Sequence, residues 1–374
     1  MPSVKLIYNS PERDADLYYT TRFWAPDPYI YVESRGKKYL VLSDLEIDRA
    51  KSVATVDRVL SITDYVKRAE KKKKKPSMID LFHEILIEHK TKNVVVPGRT
   101  SFQIVDGLRK RGYKIKAGSY PFYEKRFCKT PEERKYIGQA QHAIFKTMHY
   151  VEMVLARSRI KKDQIIYDGQ PLTSDNLRLM INIFLLERGY TASDTIVSSG
   201  RHSIDPHDIG EGYLKPHQPI IVDIFPRSQK TLYYGDATRT FCKGHASDAL
   251  KKLYKTVQEG QALGISKIRA GINGRKIHEA ILKFFESRGY KTGEHKGRQQ
   301  GFFHSTGHGI GLELHEDPAR IGPRNYILKA GNVMSVEPGL YYAGIGGVRI
   351  EDLVYVTKKG CEVIGFYPKR LEIP

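Results

Sequence analysis

The chain has 374 residues, 62 of them Lys or Arg against 42 Asp or Glu, a formal charge of +20, and 40 % are apolar. At roughly 150 residues per domain that length holds two or three domains, and the composition supports sizeable cores and excludes a mostly disordered chain. Apolar runs such as Ile183–Leu186 and Leu353–Val356 fall far short of the ~20 residues that span a bilayer, so no integral membrane protein and no membrane partner are expected.

The opening MPSVKLIYNSPERDAD turns polar early and does not read as a secretory signal. Cys128, Cys242 and Cys361 are few, odd in number and far apart, which excludes a disulfide framework or a CxxC zinc site and fits a reducing cytoplasm. The positive charge is spread out. Residues 1–128 carry 26 basic and 16 acidic side chains, and the rest carry 36 and 26. The one dense block, Lys71–Lys75, has no interleaved aromatic residues, as a base-stacking platform requires. It reads as a solvated loop, and nucleic acid is not an expected partner.

Residues 1–128 alternate strand and helix signals, which predicts a three-layer α/β domain. Tyr29–Glu33 and Lys38–Leu42 pair around a turn at Ser34–Gly36. Ser43 and Glu46 form a capping box for a short helix over Asp44–Ala50, and Ser77 opens a second helix to Glu88. Val94–Val96 reads as a buried strand. Phe102–Arg111 reads as a helix stopped by Gly112. Thr130, Pro131 and Glu133 then open a long helix to Ala156, and the domain boundary is set between residues 128 and 129. Beyond it, helices over 131–156 and 174–188 precede strands in Pro219–Phe241. Helices over 246–269 and 274–288 precede strands in Asn332–Thr357. Both helix pairs end in Arg-Gly-Tyr, at 188–190 and 288–290. Helix, helix, hairpin, repeated, predicts two related halves facing each other.

The second domain carries acids where strands should be apolar: Asp223 after Ile-Ile-Val, Asp236 before Ala-Thr-Arg-Thr-Phe, Glu337 in Ser-Val-Glu-Pro-Gly and Glu351 in Val-Arg-Ile-Glu-Asp. A buried carboxylate must be paired, protonated or bound to metal. Four of them, two in each hairpin, point to a shared cation site. The segment His304-Ser-Thr-Gly-His308-Gly-Ile-Gly-Leu-Glu-Leu-His315 adds imidazole, with glycines that admit close backbone approach at His308. It is neither an HExxH helix nor a phosphate loop. Four carboxylates and one imidazole make a hard ligand set suited to Mn, Fe, Co or Mg. A charge of −4 is balanced by two divalent ions, which then share bridging carboxylates and can activate water and a carbonyl.

These residues resemble those of the pita-bread metallopeptidases, the family of methionine aminopeptidase, aminopeptidase P and prolidase. The likeness runs from about Thr130 to the end. It implies an α/β (α+β) architecture in which an N-terminal three-layer domain, residues 1–128, precedes a pseudo-twofold pita-bread catalytic domain, residues 129–374. It implies two divalent metal ions, Mn foremost, with Co, Fe or Zn as alternatives. Asp223 would bind one ion, His308 and Glu337 the other, and Asp236 and Glu351 would bridge. Leu17-Tyr-Tyr-Thr-Thr-Arg-Phe and Leu42-Ser-Asp-Leu-Glu-Ile-Asp-Arg-Ala resemble the domain that precedes the catalytic fold in prolidase and aminopeptidase P. With His304 four residues before His308, this implies cleavage of Xaa-Pro bonds in proline-containing peptides, and a homodimer.

By the same resemblance a metal-bridging hydroxide attacks the scissile carbonyl and Glu337 shuttles the proton. His207, His304 and His315 contact substrate or the tetrahedral intermediate, and Arg349 and Thr238 orient the carboxylates. The chain departs from the family in three places. The Asp223–Asp236 interval is two residues longer than usual, through a hairpin tip at Arg227–Leu232. Ile-Phe-Pro follows Asp223 where a small residue and glycine are usual. The His207–Asp223 interval is slightly short. The alternatives are a same-fold aminopeptidase of other specificity and an inactive protein- or nucleic-acid-binding relative.

Overall fold

The computed structural model describes residues 3–374. The chain divides into two compact units, Met1–Arg126 and Phe127–Pro374.

The first unit is built on a six-stranded sheet of β1 (Val4–Asn9), β2 (Tyr29–Ser34), β3 (Lys37–Leu42), β4 (Arg58–Ser61), β5 (Asn93–Val96) and β6 (Lys114–Ala117). Its order is β4-β3-β2-β1-β5-β6. Side chains alternate strictly across it. Val4, Leu6, Ile30, Val32, Val41, Val94 and Val96 face one core with Phe82, Ile85 and Leu108. Ile7, Tyr29, Tyr31, Leu40 and Leu42 face another with Leu17, Phe23 and Ala50. Helices therefore cover both faces: α1 (Ala15–Thr21) and α2 (Ile47–Val53) on one, α3 (Ile62–Glu70), α4 (Met78–Glu88) and α5 (Phe102–Lys110) on the other. The expected box at Ser43 and Glu46 does not close. The Glu46 carboxylate takes Arg49 Nε at 2.8 Å instead, so Asp44–Glu46 is a 3-10 turn and α2 runs to Val53.

The second unit opens with α6 (Pro131–Arg157), where Thr130 and Glu133 form a complete capping box. α7 (Ser174–Leu186) follows, then β7 (Ile196–Ser199), β8 (Ile220–Ile224) and β9 (Ala237–Lys243). After α8 (Asp248–Lys267) and α9 (Gly274–Ser287) come β10 (Gly307–His308), β11 (Val333–Val336), β12 (Gly339–Tyr342), β13 (Gly346–Arg349), β14 (Asp352–Val356) and β15 (Glu372–Ile373). The helix-pair-then-strands unit thus occurs twice, each on its own core. The Arg-Gly-Tyr stops work through positive φ: Gly189 lies at +77° and Gly289 at +91°, the left-handed cap that glycine adopts without strain.

The second strand region is not one hairpin. β11 pairs with β14, and β12 with β13. Pro338 lacks the N–H that would continue β11 into β12, so the ladder breaks at Glu337, and it breaks again at Glu351 between β13 and β14. The expected hairpin tip at Arg227–Leu232 is not free either, because Arg227–Ser228 pairs with Tyr190–Thr191.

Candidate metal and active site

The four acids sit at strand ends and breaks because those positions let a side chain leave the ladder. Asp223, on β8, lies opposite Ile196 of β7 and Thr238 of β9. Asp236 immediately precedes β9, and Gln141 fixes it by accepting from its backbone N–H at 3.0 Å and donating to its C=O at 2.8 Å. Glu337 immediately follows β11, its N–H bonded to the Thr306 C=O at 2.7 Å. Glu351 immediately precedes β14, its N–H bonded to the Thr238 C=O at 3.0 Å, which ties the two halves together. His308 comes from β10. There the backbone runs so close to β11 that a Cβ on Gly307 would lie 1.9 Å from the Ser335 C=O, so only glycine fits.

All five side chains line one cleft of about 640 Å³, together with His207, His304, His315 and Arg349. Donor atoms of Asp236, His308 and Glu351 lie within 4.8 Å of one another. His308 Nε2 is 3.5 Å from both Asp236 Oδ2 and Glu337 Oε1. Thr238 Oγ1 donates to Glu351 Oε2 at 2.9 Å, and Ser335 Oγ donates to Glu337 Oε1 at 3.3 Å. Arg349 Nη2 donates to Asp223 Oδ2 at 2.7 Å.

Burial, then the neighbouring Asp223 and Glu337 charges, holds the Asp236 carboxyl well above its ordinary range. Burial with Asp236 and Glu337 does the same to Glu351. Burial raises Glu337 too, against the pull of His308 and Arg349. Such a crowd of acids can ionise together only around positive charge. Asp223 Oδ1 and Glu351 Oε1 are buried with no hydrogen-bond partner among the described residues, and an orphaned buried carboxylate oxygen needs a partner. Oxygen donors with one imidazole therefore fit a hard divalent cation.

Sequence reasoning did not find Tyr341. Its hydroxyl accepts from Arg349 Nη1 at 2.9 Å and lies 3.0 Å from His304 Nε2. His304 Nδ1 must donate to the Ser305 C=O at 2.8 Å, since a carbonyl only accepts. Nε2 is then the acceptor, and Tyr341 donates to it. A chain of bonds runs His304–Tyr341–Arg349–Asp223, and both His304 nitrogens are engaged by the protein, so direct contact with substrate requires one bond to open. Burial and then the Arg349 charge push His304 down to about 3. Burial and then His308 push His315 down to about 4, its ring 4.3 Å from that of His308. Both are neutral at physiological pH. His207 is exposed on the cleft wall. Phe225 lines the cleft with Ile196 and Ile209, so the departure after Asp223 does face the pocket. Only one hint in the sequence points to Tyr341: two polar-headed aromatic residues, Tyr341 and Tyr342, in a short strand between Glu337 and Arg349.

The architecture is that of the pita-bread enzymes. Residues 138–358 match the model of metallopeptidase family M24, and the chain belongs to that family. An uncharacterized peptidase of Bacillus subtilis is 36 % identical over 195 residues, 52 % of this chain and 53 % of that protein. A Xaa-Pro dipeptidase of Pyrococcus horikoshii is 34 % identical over 170 residues, 45 % of this chain and 46 % of that protein. The chain thus spans about half the length of these curated relatives. A solved Xaa-Pro dipeptidase from Bacillus anthracis superposes with a TM-score of 0.82 at 25 % identity, covering 100 % of this chain and 95 % of that one. No helix among the described residues is long and apolar enough to cross a membrane.

Proposed function

We propose that the protein is a two-metal exopeptidase that releases the residue before proline from peptide N-termini. The convergence of Asp223, Asp236, His308, Glu337 and Glu351 on one cleft carries this reading, supported by family membership and by the Xaa-Pro dipeptidase relative. Asp223, Asp236 and Glu351 would hold two divalent ions with His308 and Glu337, and Mn²⁺ is the ion proposed on the hard donor set. When bound, such ions polarise the scissile carbonyl and make hydroxide available near neutral pH.

The chain's own groups do the rest. Glu337 is the proton carrier. Its side chain is 19 % exposed, against 5 % for Asp236, and its raised pKa suits taking a proton from water and passing it to the proline nitrogen. Neutral His315, with His207 lining the same cleft, offers hydrogen bonds to the substrate carbonyl. The His304–Tyr341–Arg349 chain holds Asp223 in place. Phe225, Ile196 and Ile209 add apolar surface to the cleft. A prolidase-type role for the first unit, a homodimer, and a reducing cytoplasm suited to three free cysteines belong to the same proposal.

The test is release of alanine from Ala-Pro and from Ala-Pro-Ala by chelated protein with and without Mn²⁺, beside Glu337→Ala. Mn²⁺-dependent release lost in the variant is expected, and the preferred length decides between dipeptidase and aminopeptidase. No release from either peptide with Mn²⁺, Co²⁺, Fe²⁺ or Zn²⁺ would overturn proline specificity.

A further inference from the structure

The outer face of α6 presents Lys135, His142, Lys146, His149 and Arg157, all exposed, at spacings that keep them on one helix stripe. At 1.5 Å per residue the stripe runs about 33 Å. Shallow depressions follow it, one sharing Gly138, His142 and Lys146 with the next, and that one sharing Lys146, His149 and Phe184 with a third. They form one groove. Among the described residues no acidic side chain lines it, and it shares no residue with the metal cleft. Lys135, Lys146 and Arg157 have no ion-pair partner among the described residues.

Aromatic faces interleave with these cations. Tyr150 and Phe184 stack at 4.7 Å and 10°, and the Arg188 guanidinium lies 3.4 Å over Phe184. Phe366 is 82 % exposed on the same groove. Gly365 sets it there: its φ is +79°, and a Cβ would meet the Phe145 ring at 2.6 Å. Solvating so large a ring has no folding benefit.

We propose that this groove binds single-stranded nucleic acid. Phosphates lie along Lys135, Lys146 and Arg157, and a base stacks on the exposed Phe366 ring beside the Tyr150–Phe184–Arg188 stack. Cations alternating with ring faces along a groove are the arrangement that single strands use. A membrane surface would instead call for cations on a convex face.

Fluorescence anisotropy of labelled U oligomers of about 20 nucleotides tests this on the full chain. Binding should weaken with salt at a log–log slope of about −2, three contacts at roughly −0.7 each. Combining Lys135→Glu, Lys146→Glu and Arg157→Glu should lower affinity at least about twentyfold. Phe366→Ala should lower it about fivefold or more without changing the salt slope. Peptidase activity and Tm should hold in both variants, so this proposal and the peptidase reading can fail separately. Removing the Lys71–Lys75 charges should leave binding unchanged. Four results would each overturn the proposal: no binding at about 50 mM salt, equal binding by the charge-reversed variant, tighter binding to phosphatidylserine vesicles, or self-association through this face that the charge reversals abolish.

Discussion

Thr238→Val probes how much of the site's affinity for metal comes from groups that never touch it. Thr238 is fully buried, and its hydroxyl donates to Glu351 Oε2 at 2.9 Å. Glu351 Oε1 has no donor among the described residues, so this hydroxyl fixes the carboxylate's rotation. Valine keeps the shape and removes the donor. A hydrogen bond to a charged group is worth about 1.5–3 kcal/mol, and losing a group that orients a metal ligand typically costs 10–100-fold in affinity, which is about 1.4–2.7 kcal/mol. The two figures agree. Competition titration of Mn²⁺ against a fluorescent chelator should show that loss in Thr238→Val and recovery in Thr238→Ser. Affinity within about twofold of the parent would refute the reasoning, as would a serine variant as weak as the valine one, since methyl packing would then be the cause.

Lys129→Met removes one partner from a buried ion pair of which both members are 3 % exposed. It should cost about 3–5 kcal/mol in thermal or urea unfolding, with partial recovery on adding Glu316→Gln. Gly307→Ala drives a methyl against the Ser335 carbonyl at 1.9 Å; a loss of at least ~1–3 kcal/mol is expected by differential scanning fluorimetry. His304 is held neutral, its folded pKa about 3 against an unfolded 6.5. Its contribution is complete above pH 6.5 and fades as pH falls toward 3, at roughly 1.4 kcal/mol per unit. Urea titrations across that window should show a shallower acid slope in His304→Phe, and an unchanged slope would disprove the assignment.

What could be read from the sequence followed the range of the interactions. The Thr130–Glu133 box and the Arg-Gly-Tyr stops are local, and they fall where capping chemistry puts them. The carboxylates stood out because charge inside β-rich apolar runs has few explanations. The Ser43–Glu46 box misled because its acid had a second suitor in Arg49, three residues on. The Lys129–Glu316 pair was invisible for the opposite reason. Its members lie 187 residues apart, and no spacing rule reaches that far. The groove on α6 was hidden too, since its aromatic rings come from α6, α7 and the segment before β15.

The closing strand has a consequence for how the chain could be cut. β15 pairs in parallel with β9, Cys242 opposite Glu372, so the last residues of the second half complete the sheet of the first. Arg239, itself 1 % exposed, reaches across to the Glu351 carbonyl at 2.6 Å and to Asp352 Oδ1 at 2.7 Å. A nick in residues 244–247 would therefore leave two fragments that interlock without a covalent link. Neither fragment alone holds more than part of the proposed ligand set: Asp223 and Asp236 lie on one, His308, Glu337 and Glu351 on the other. Metal uptake would then report fragment reassociation directly, making this domain a split reporter whose signal is assembled along with its fold.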